Sequence, residues 1–384
     1  MLSENRRYTM KKIRVLQVNK LYYPEVGGIE RVVQYLAEGL KEETDMRVLV
    51  CQPRGWGSQD VINGVPVTRC SSFGTLFSLP ISISFLWRLR RMSKEVDILQ
   101  FHAPFPLGDL GGLLAGVKGK IVLYWHSDVV KQKRLMHLYR PIMEMFLRRA
   151  DVIIVSAKGN IEGSSYLGPY HQKCVVIPYA VSSSIQEKGK IYLKSAKPNQ
   201  GRKLSFLFIG RLVYYKGVDV LLKAFEKIKE GELTIIGAGE LEENLKAFVM
   251  ERGMEKRVHF QGRVADEEIY RQIEKCDVFV LPSVVKSEAF GLVQQEAMAF
   301  GKPVINTWLE SGVPEVSLDG LTGLTVKAGD AEALAKAMEW MMDHPQERIQ
   351  MGKAARERVE NEYTMDVMLG RIMGLYKRLT EEGK

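Results

Sequence analysis

The segment Glu288-Ala-Phe-Gly-Leu-Val-Gln-Gln-Glu296 follows an apolar run, Asp277-Val-Phe-Val-Leu-Pro282, with the composition of a buried strand. It continues into Ala297-Met-Ala-Phe-Gly301, which reads as the second half of a helix stopped by glycine. Glu288 is therefore expected in the loop at the strand's carboxyl end, and Glu296 about two turns into the helix. Eight helical steps rise about 12 Å and set two side chains roughly 80° apart around the axis. Such a pair suits an extended ligand with hydroxyls at both ends and negative charge between them. The charge would face the helix N-terminus near Gly291 and Leu292, where unpaired backbone N–H groups and the macrodipole favour phosphate. A sugar nucleotide has that layout. Two glutamates eight apart carry little meaning by spacing alone; the strand-end context gives them weight.

A carboxylate beside Phe290-Gly291, at the carboxyl end of a buried strand, occupies the ligand-binding edge of an open α/β sheet. Here the chain resembles the paired-glutamate signature of retaining glycosyltransferases with the GT-B fold. That large family (glycosyltransferase family 4, group 1) includes bacterial polysaccharide mannosyltransferases. The resemblance implies an α/β protein of two Rossmann-like parallel-sheet domains facing each other across a cleft, with a C-terminal helix crossing back to the first domain.

At 384 residues the chain suits two domains rather than one core. It is 46% hydrophobic and 26% charged, which excludes extensive disorder. A formal net charge of +9 favours anionic partners: nucleotides, anionic lipid or nucleic acid. The four cysteines have no metal-ligand spacing, which points to a reducing, cytoplasmic compartment. No secretory signal and no membrane-spanning run are read. Met10-Lys-Lys-Ile looks like a second possible start, with the first nine residues expected to be disordered.

Ile13 to Asn19 is a strand, and Tyr22-Tyr-Pro-Glu-Val-Gly-Gly28 leads from it into an amphipathic helix carrying Val32, Val33, Leu36 and Leu40. Gly27 and Gly28 read either as a plain turn or as an anion cradle using positive φ. The resemblance selects the cradle, facing the donor diphosphate. No complete Gly-x-Gly-x-x-Gly occurs, which argues against a dinucleotide oxidoreductase. Ser82 to Lys94 reads as a helix joining Phe85, Trp87 and Leu89 to Arg88, Arg90, Arg91 and Lys94. It is either a packed surface helix or an interfacial one resting on anionic lipid. Ile121 to Trp125 is a strand ending in His126-Ser-Asp128, followed by Lys131, Lys133 and Arg134. The stretch from Trp125 to Pro141 resembles the branch of the family that uses GDP-mannose or GDP-rhamnose. The resemblance places His126 beside the donor sugar; Asp128 is a secondary or acceptor-side candidate.

Ser182 to Arg202, polar and lysine-rich, reads as a linker. A second β/α alternation follows, and its first turn is Gly210-Arg-Leu-Val-Tyr-Tyr-Lys-Gly217. Arg211 and Lys216, flanked by glycines at the ligand edge, read as surface charge or as a phosphate clamp. The family carries them as the clamp. The expected domains are 1–185 on the acceptor side, 203–363 holding the nucleotide-sugar, and 364–384 as a helix packing back on the first.

The resemblance implies a metal-independent retaining hexosyltransferase moving mannose from GDP-mannose to a lipid-linked saccharide. The donor site would comprise Gly27, Gly28, Gly210, Arg211, Lys216, Glu288, Phe290, Gly291, Leu292 and Glu296. Glu288, His126, Arg211 and Lys216 would be nearest the chemistry. No cofactor and no metal are expected, since cationic side chains stand where other transferases place a metal and no Asp-x-Asp motif occurs. The protein is expected in the cytoplasm or peripherally at the inner membrane face, with no nucleic acid as partner. A UDP-sugar donor stays open, as do an epimerase or hydrolase on the same frame and a nucleotide-sugar-binding protein without turnover.

Overall fold

The computed structural model describes residues 12–25, 27–76, 79–128, 133–195 and 203–382. The second possible start at Met10, Lys131 and the Pro198-to-Gly201 stretch lie outside them, as do the side chains of Lys133 and Arg134. The chain divides into two compact units. One comprises Met1–Ile154, Tyr170–Val175 and Leu369–Lys384; the other comprises Val155–Pro169 and Val176–Met368. The second unit takes in segments before Ser182 that the sequence reading assigned to the first domain.

The first unit is built on strands β1 (Ile13–Val18), β2 (Thr44–Cys51), β3 (Ser58–Ile62) and β4 (Val65–Cys70), with a two-residue ribbon of β5 (Thr75–Leu76) and β6 (Leu79–Pro80). Then come β7 (Ile98–Ala103), β8 (Lys120–Trp125), β9 (Val152–Val155) and β10 (Cys174–Val176). The sheet order is β10-β9-β8-β7-β1-β2-β4-β3. β1 pairs in parallel with β2 and β7, β2 with β4, and β7 with β8. β3 runs antiparallel to β4, through a hairpin whose Asn63-Gly64 corner has φ of 50° and 83°. The helix Gly28–Leu40 buries Val32, Val33, Leu36 and Leu40, as its apolar stripe predicts.

The second unit is a six-stranded sheet: β11 (Ser205–Ile209), β12 (Glu232–Ile236), β13 (Val258–Gly262), β14 (Val278–Leu281), β15 (Val304–Trp308) and β16 (Gly323–Lys327). Its order is β13-β12-β11-β14-β15-β16, and all five pairings are parallel. Buried on both faces, these strands read as short Val/Ile/Leu/Phe runs rather than alternating ones. Phe206, Phe208, Leu221, Leu222, Phe225, Ile235 and Met338 belong to the core beneath.

Each sheet has a topological switch point where chain order reverses: β1 beside β7 in the first, β11 beside β14 in the second. Ligands of open α/β sheets bind outside the strand ends at that crevice. The Gly27-Gly28 loop leaves β1, the Arg211-to-Lys216 loop leaves β11, and the Glu288 loop leaves β14.

The expected linker is corrected in part. Ser183–Ser195 is a helix, and within the expected linker residues 196–202 lie outside the described chain. A Cβ placed on Gly189 would stand 2.2 Å from the Ala299 carbonyl oxygen, so this helix meets Leu292–Ala299 through a glycine contact rather than an apolar stripe. Ile185 and Gly189 are buried, while Ile191 and Leu193 of the same helix stay exposed. The ending helices are Ala331–Asp343, Pro345–Glu362 and Met365–Glu381. The last contributes Tyr376, fully buried, to the first unit.

Candidate active site

In the second unit, β11 runs into a loop held open by glycine. The Gly210 N–H bonds the Ile236 carbonyl at 2.9 Å, and Leu212 N–H bonds the Ala238 carbonyl at 3.1 Å. Tyr214–Lys216 forms one 3₁₀ turn, closed by Gly217 at φ 66°. A Cβ on Gly217 would stand 2.1 Å from the Pro282 carbonyl oxygen. That close approach, which needs glycine for both its φ and its lack of side chain, seats the turn against the end of β14.

As a result Lys216 Nζ meets Glu288 Oε2 at 2.5 Å, with side chains 11% and 10% exposed. Ser283 Oγ donates to the same carboxylate oxygen at 3.1 Å. The Arg211 guanidinium lies over the Tyr215 ring at 5.8 Å and donates to the Tyr215 hydroxyl at 2.7 Å. The Lys216 ammonium is 5.7 Å from the same ring. Arg211 is exposed and makes no ion pair among the described residues. The sequence reading assigned neither Tyr215 nor Ser283; an aromatic between the two cations of one loop was the available signal.

Gly291 takes φ 71° and is the N-cap of the helix Leu292–Ala299, with no side chain capping it. The N–H groups of Leu292 and Val293 have no carbonyl four residues back within the helix and can meet an anion. Because the helix starts only at Leu292, Glu296 lies just over one turn in, not two, and is half-buried. Phe290 packs edge-on against Tyr179 at 5.1 Å and Tyr363 at 6.3 Å; its carbonyl accepts from Gln294 Nε2 at 2.8 Å. Its side chain is thus committed to the core of the loop.

In the first unit, Gly27 caps the helix Gly28–Leu40 in extended backbone at φ −152°, and neither glycine of the pair has positive φ. The positive-φ cradle is therefore corrected. What the pair supplies is a helix N-terminus without side chains, and the Glu30 carboxylate occupies the space where a Gly27 Cβ would stand.

His126, at the end of β8, is 6% exposed. Its Nε2 lies 2.9 Å from Nδ1 of His102, whose Nε2 lies 2.8 Å from Gln17 Oε1. Burial pushes the His126 pKa down to about 3, with the charge of Lys20 acting the same way. Burial, then His126, pushes His102 well below the usual histidine range. Asp128 accepts from the Trp125 indole N–H at 3.1 Å. His102 was missed because β7 reads as a plain buried strand. Among the described residues no group of three His, Cys, Asp or Glu side chains is placed to hold a metal ion.

The chain matches two family descriptions, Glycosyltransferase Family 4 over residues 26–183 and Glycosyl transferases group 1 over residues 192–358. It is 32% identical over 371 residues to the O-antigen chain mannosyltransferase C of Escherichia coli, covering 96% of this chain and 99% of that one. The chain is a family 4 glycosyltransferase. This glycosyltransferase is also 33% identical over 355 residues to the D-rhamnosyltransferase WbpZ of Pseudomonas aeruginosa, 92% of each chain. Its fold is GT-B. The sucrose-phosphate synthase of Thermosynechococcus elongatus superposes with a TM-score of 0.74 at 18% identity, covering 97% of this chain and all of that one. The Anabaena Alr3699/HepE complex with UDP-glucose gives 0.70 at 18% identity, covering 95% and 100%.

Proposed function

We propose that this glycosyltransferase moves mannose from GDP-mannose to a lipid-linked saccharide during surface-polysaccharide assembly, with retention at the anomeric carbon and without a metal ion. The observation that carries the donor half is the buried Lys216–Glu288 pair at the second sheet's switch point, with Arg211 on the same loop. Arg211, Lys216 and the N–H groups behind Gly291 stabilise charge developing on the leaving diphosphate, the work a metal ion does elsewhere. Glu288 holds the sugar hydroxyls and orients the anomeric carbon. Glu296 holds the ribose. His126 and the helix N-terminus at Gly27 and Gly28 belong to the first unit, and the family resemblance is what gives them to the sugar and the diphosphate.

Retention proceeds by front-face attack, with the diphosphate assisting acceptor deprotonation. Glu288, tied to Lys216 and Ser283, is an orienting carboxylate rather than the nucleophile of a double displacement. The mannose and guanine assignments draw on the relatives, named for mannosyl and rhamnosyl transfer, and on the Trp125-to-Pro141 stretch. The UDP-glucose complex of Alr3699/HepE makes a UDP-sugar the competing donor. A panel of donors, with and without lipid-linked acceptor, decides between them. Transfer from GDP-mannose that survives EDTA is expected, together with a larger rise in melting temperature from GDP than from UDP. Cleavage or epimerisation of the donor without acceptor would make the enzyme a hydrolase or epimerase instead.

We also place the enzyme on anionic membrane through the first unit. The helix Ile83–Met92 buries Phe85 and Leu89 completely but leaves Ile83 and Trp87 exposed beside Arg90 and Arg91. The packed-helix reading describes the buried face, and the lipid reading is our proposal for the exposed one. A cavity of about 660 Å³ opens beside Trp87, Arg88 and Arg91, against Arg47 and Val61. Trp56 and Phe73 are exposed on the same unit, 92% and 77%. Basic residues near an anionic leaflet contribute roughly 1 kcal/mol each, enough for reversible, salt-sensitive binding. Vesicles of anionic lipid should retain the protein and neutral ones should not. Replacing Arg88, Arg90 and Arg91 should abolish the difference; unchanged partitioning would remove the membrane from the proposal.

A further inference from the structure

Elsewhere in the second unit, arginines are held by carboxylates or main-chain carbonyls. Arg252 meets the Glu226 carboxylate at 3.0 Å, and Arg356 meets that of Glu360 at 2.7 Å. Arg257 donates to the Ile228 carbonyl at 2.8 Å, and Arg358 to the Glu315 and Val316 carbonyls at 2.8 and 3.0 Å. Arg211 is held in another way. It is exposed, makes no ion pair among the described residues, and donates to the neutral hydroxyl of Tyr215 at 2.7 Å.

A guanidinium only donates, so the phenolic oxygen is the acceptor whichever way its own hydrogen is turned. A carboxylate in that place would fix the side chain by neutralising it. A hydroxyl fixes it, leaves the charge whole, and takes one of its five N–H donors. Tyr215 is itself firmly seated: it is half-buried within the 3₁₀ turn Tyr214–Lys216, and its carbonyl accepts from the Val284 N–H at 2.9 Å, just past β14. The Tyr214 ring stands edge-on to its ring at 5.9 Å. Lys216 already faces Glu288 at 2.5 Å, so of the two cations on this loop it is Arg211 whose charge goes unbalanced among the described residues. We propose that Tyr215 is a positioning residue of the donor site, whose hydroxyl holds the Arg211 guanidinium in place, still fully charged, for the diphosphate of a nucleoside-diphosphate sugar.

The diphosphate rests on the donor reading above; the hold on Arg211 does not. A diphosphate offers only acceptor oxygens, and a guanidinium can meet two of them at once. Without Tyr215 an exposed arginine would spread over many rotamers, and ordering it would subtract from affinity at every binding event. The hydroxyl makes that ordering part of the folded loop. Since Tyr215 directly precedes Lys216, a single turn sets both cations, Lys216 through Glu288 and Arg211 through the hydroxyl.

Calorimetric titration of the full chain with GDP, UDP, guanosine and uridine tests this. Tyr215→Phe keeps the ring and removes the hydroxyl. It should weaken the nucleoside diphosphate that the wild type binds by about tenfold, the low end for a hydrogen bond to a charged group. The matching nucleoside and the melting temperature of the free protein should not change. Arg211→Ala should also weaken the diphosphate, and adding Tyr215→Phe to it should cost nothing more, because a positioning residue acts only through the group it holds. Undiminished diphosphate binding in Tyr215→Phe, or a second tenfold loss in the Arg211→Ala background, overturns the proposal. An equal loss for the nucleoside overturns it as well, since the hydroxyl would then support the loop rather than the arginine. A wild type that binds neither GDP nor UDP would overturn the donor reading and the proposal together, whereas tight binding that ignores Tyr215 overturns the proposal alone.

Discussion

In the second unit a lysine and a glutamate, each about one-tenth exposed, meet at 2.5 Å as an ion pair. In the first, two histidines 2.9 Å apart carry no charge, and the carboxyl of Asp109, 2% exposed and accepting from the Tyr139 hydroxyl, is pushed up to about 7 by burial. Both units place polar atoms deep at a sheet's switch point, and they meet the desolvation penalty differently. Pairing supplies a counter-charge and leaves electrostatic strength to aim at a diphosphate; neutralisation removes the charge and leaves only hydrogen-bond direction. One unit keeps a paired charge at its sheet edge, and the other keeps neutral hydrogen-bonding groups there.

Removing one member of the ion pair should break it most severely. Lys216→Ala is expected to raise the barrier to transfer by about 2–4 kcal/mol, and it also leaves Glu288 buried without its cation. Pairing Lys216→Met with Glu288→Leu should recover melting temperature while leaving turnover low. Recovery of turnover in that double variant would show that the pair is structural only.

Acid should act on the first unit. His126 titrates near 3 in the folded chain against 6.5 ordinarily, so the unfolded chain takes up the proton first as pH falls. Its contribution is complete above about 6.5 and is lost toward 3. A loss on the order of 2–3 kcal/mol by pH 4 is expected, measured by urea unfolding and shallower in His126→Asn. Equal slopes in the two proteins would mean His126 is not held neutral.

Lys302 offers a control within the second unit. Its ammonium is satisfied by the Tyr192 hydroxyl at 2.8 Å and the Glu274 and Cys276 carbonyls at 2.9 and 2.8 Å, with no carboxylate among the described residues. Lys302→Met should cost about 2 kcal/mol of stability and leave kcat unchanged. A fall in kcat alone would make this lysine part of the chemistry.

At Asp109 the pH dependence runs the other way. Its folded pKa near 7 lies above the ordinary 3.8, so its contribution is complete below about 3.8 and is lost as pH rises through 7. Asp109→Asn should therefore gain stability over the wild type at pH 8, with the gain vanishing at pH 4. A gain at both pH values would point to packing rather than charge.

What could be read in the chain were the features carried by local pattern. Strand runs such as Val278 to Leu281 are apolar because they are buried on both faces, and the glycines at 217 and 291 mark turns that a side chain would block. Arg211, Lys216 and Glu288 were legible because each follows such a strand within a few residues. Even locally there were misses: Asn63-Gly64 is a hairpin signal that went unused, and the helix Ser183–Ser195 was masked because its contact is a glycine, not a stripe.

The pairing of Lys216 with Glu288, and the hydrogen-bonded run from Tyr376 through Gln17 and His102 to His126, belonged to the tertiary structure. β11 and β14 become neighbours only when the sheet order is set, and so do β1, β7 and β8. Gln17, Gln100 and His102 look like misplaced polar residues inside apolar strands until that order brings them to one another and to Tyr376. Sequence determines which side chains are available at strand ends and where the backbone can turn, since those depend on near neighbours. Which buried polar atoms satisfy one another depends on strands distant in the chain lying about 5 Å from each other, and only the folded sheet decides that.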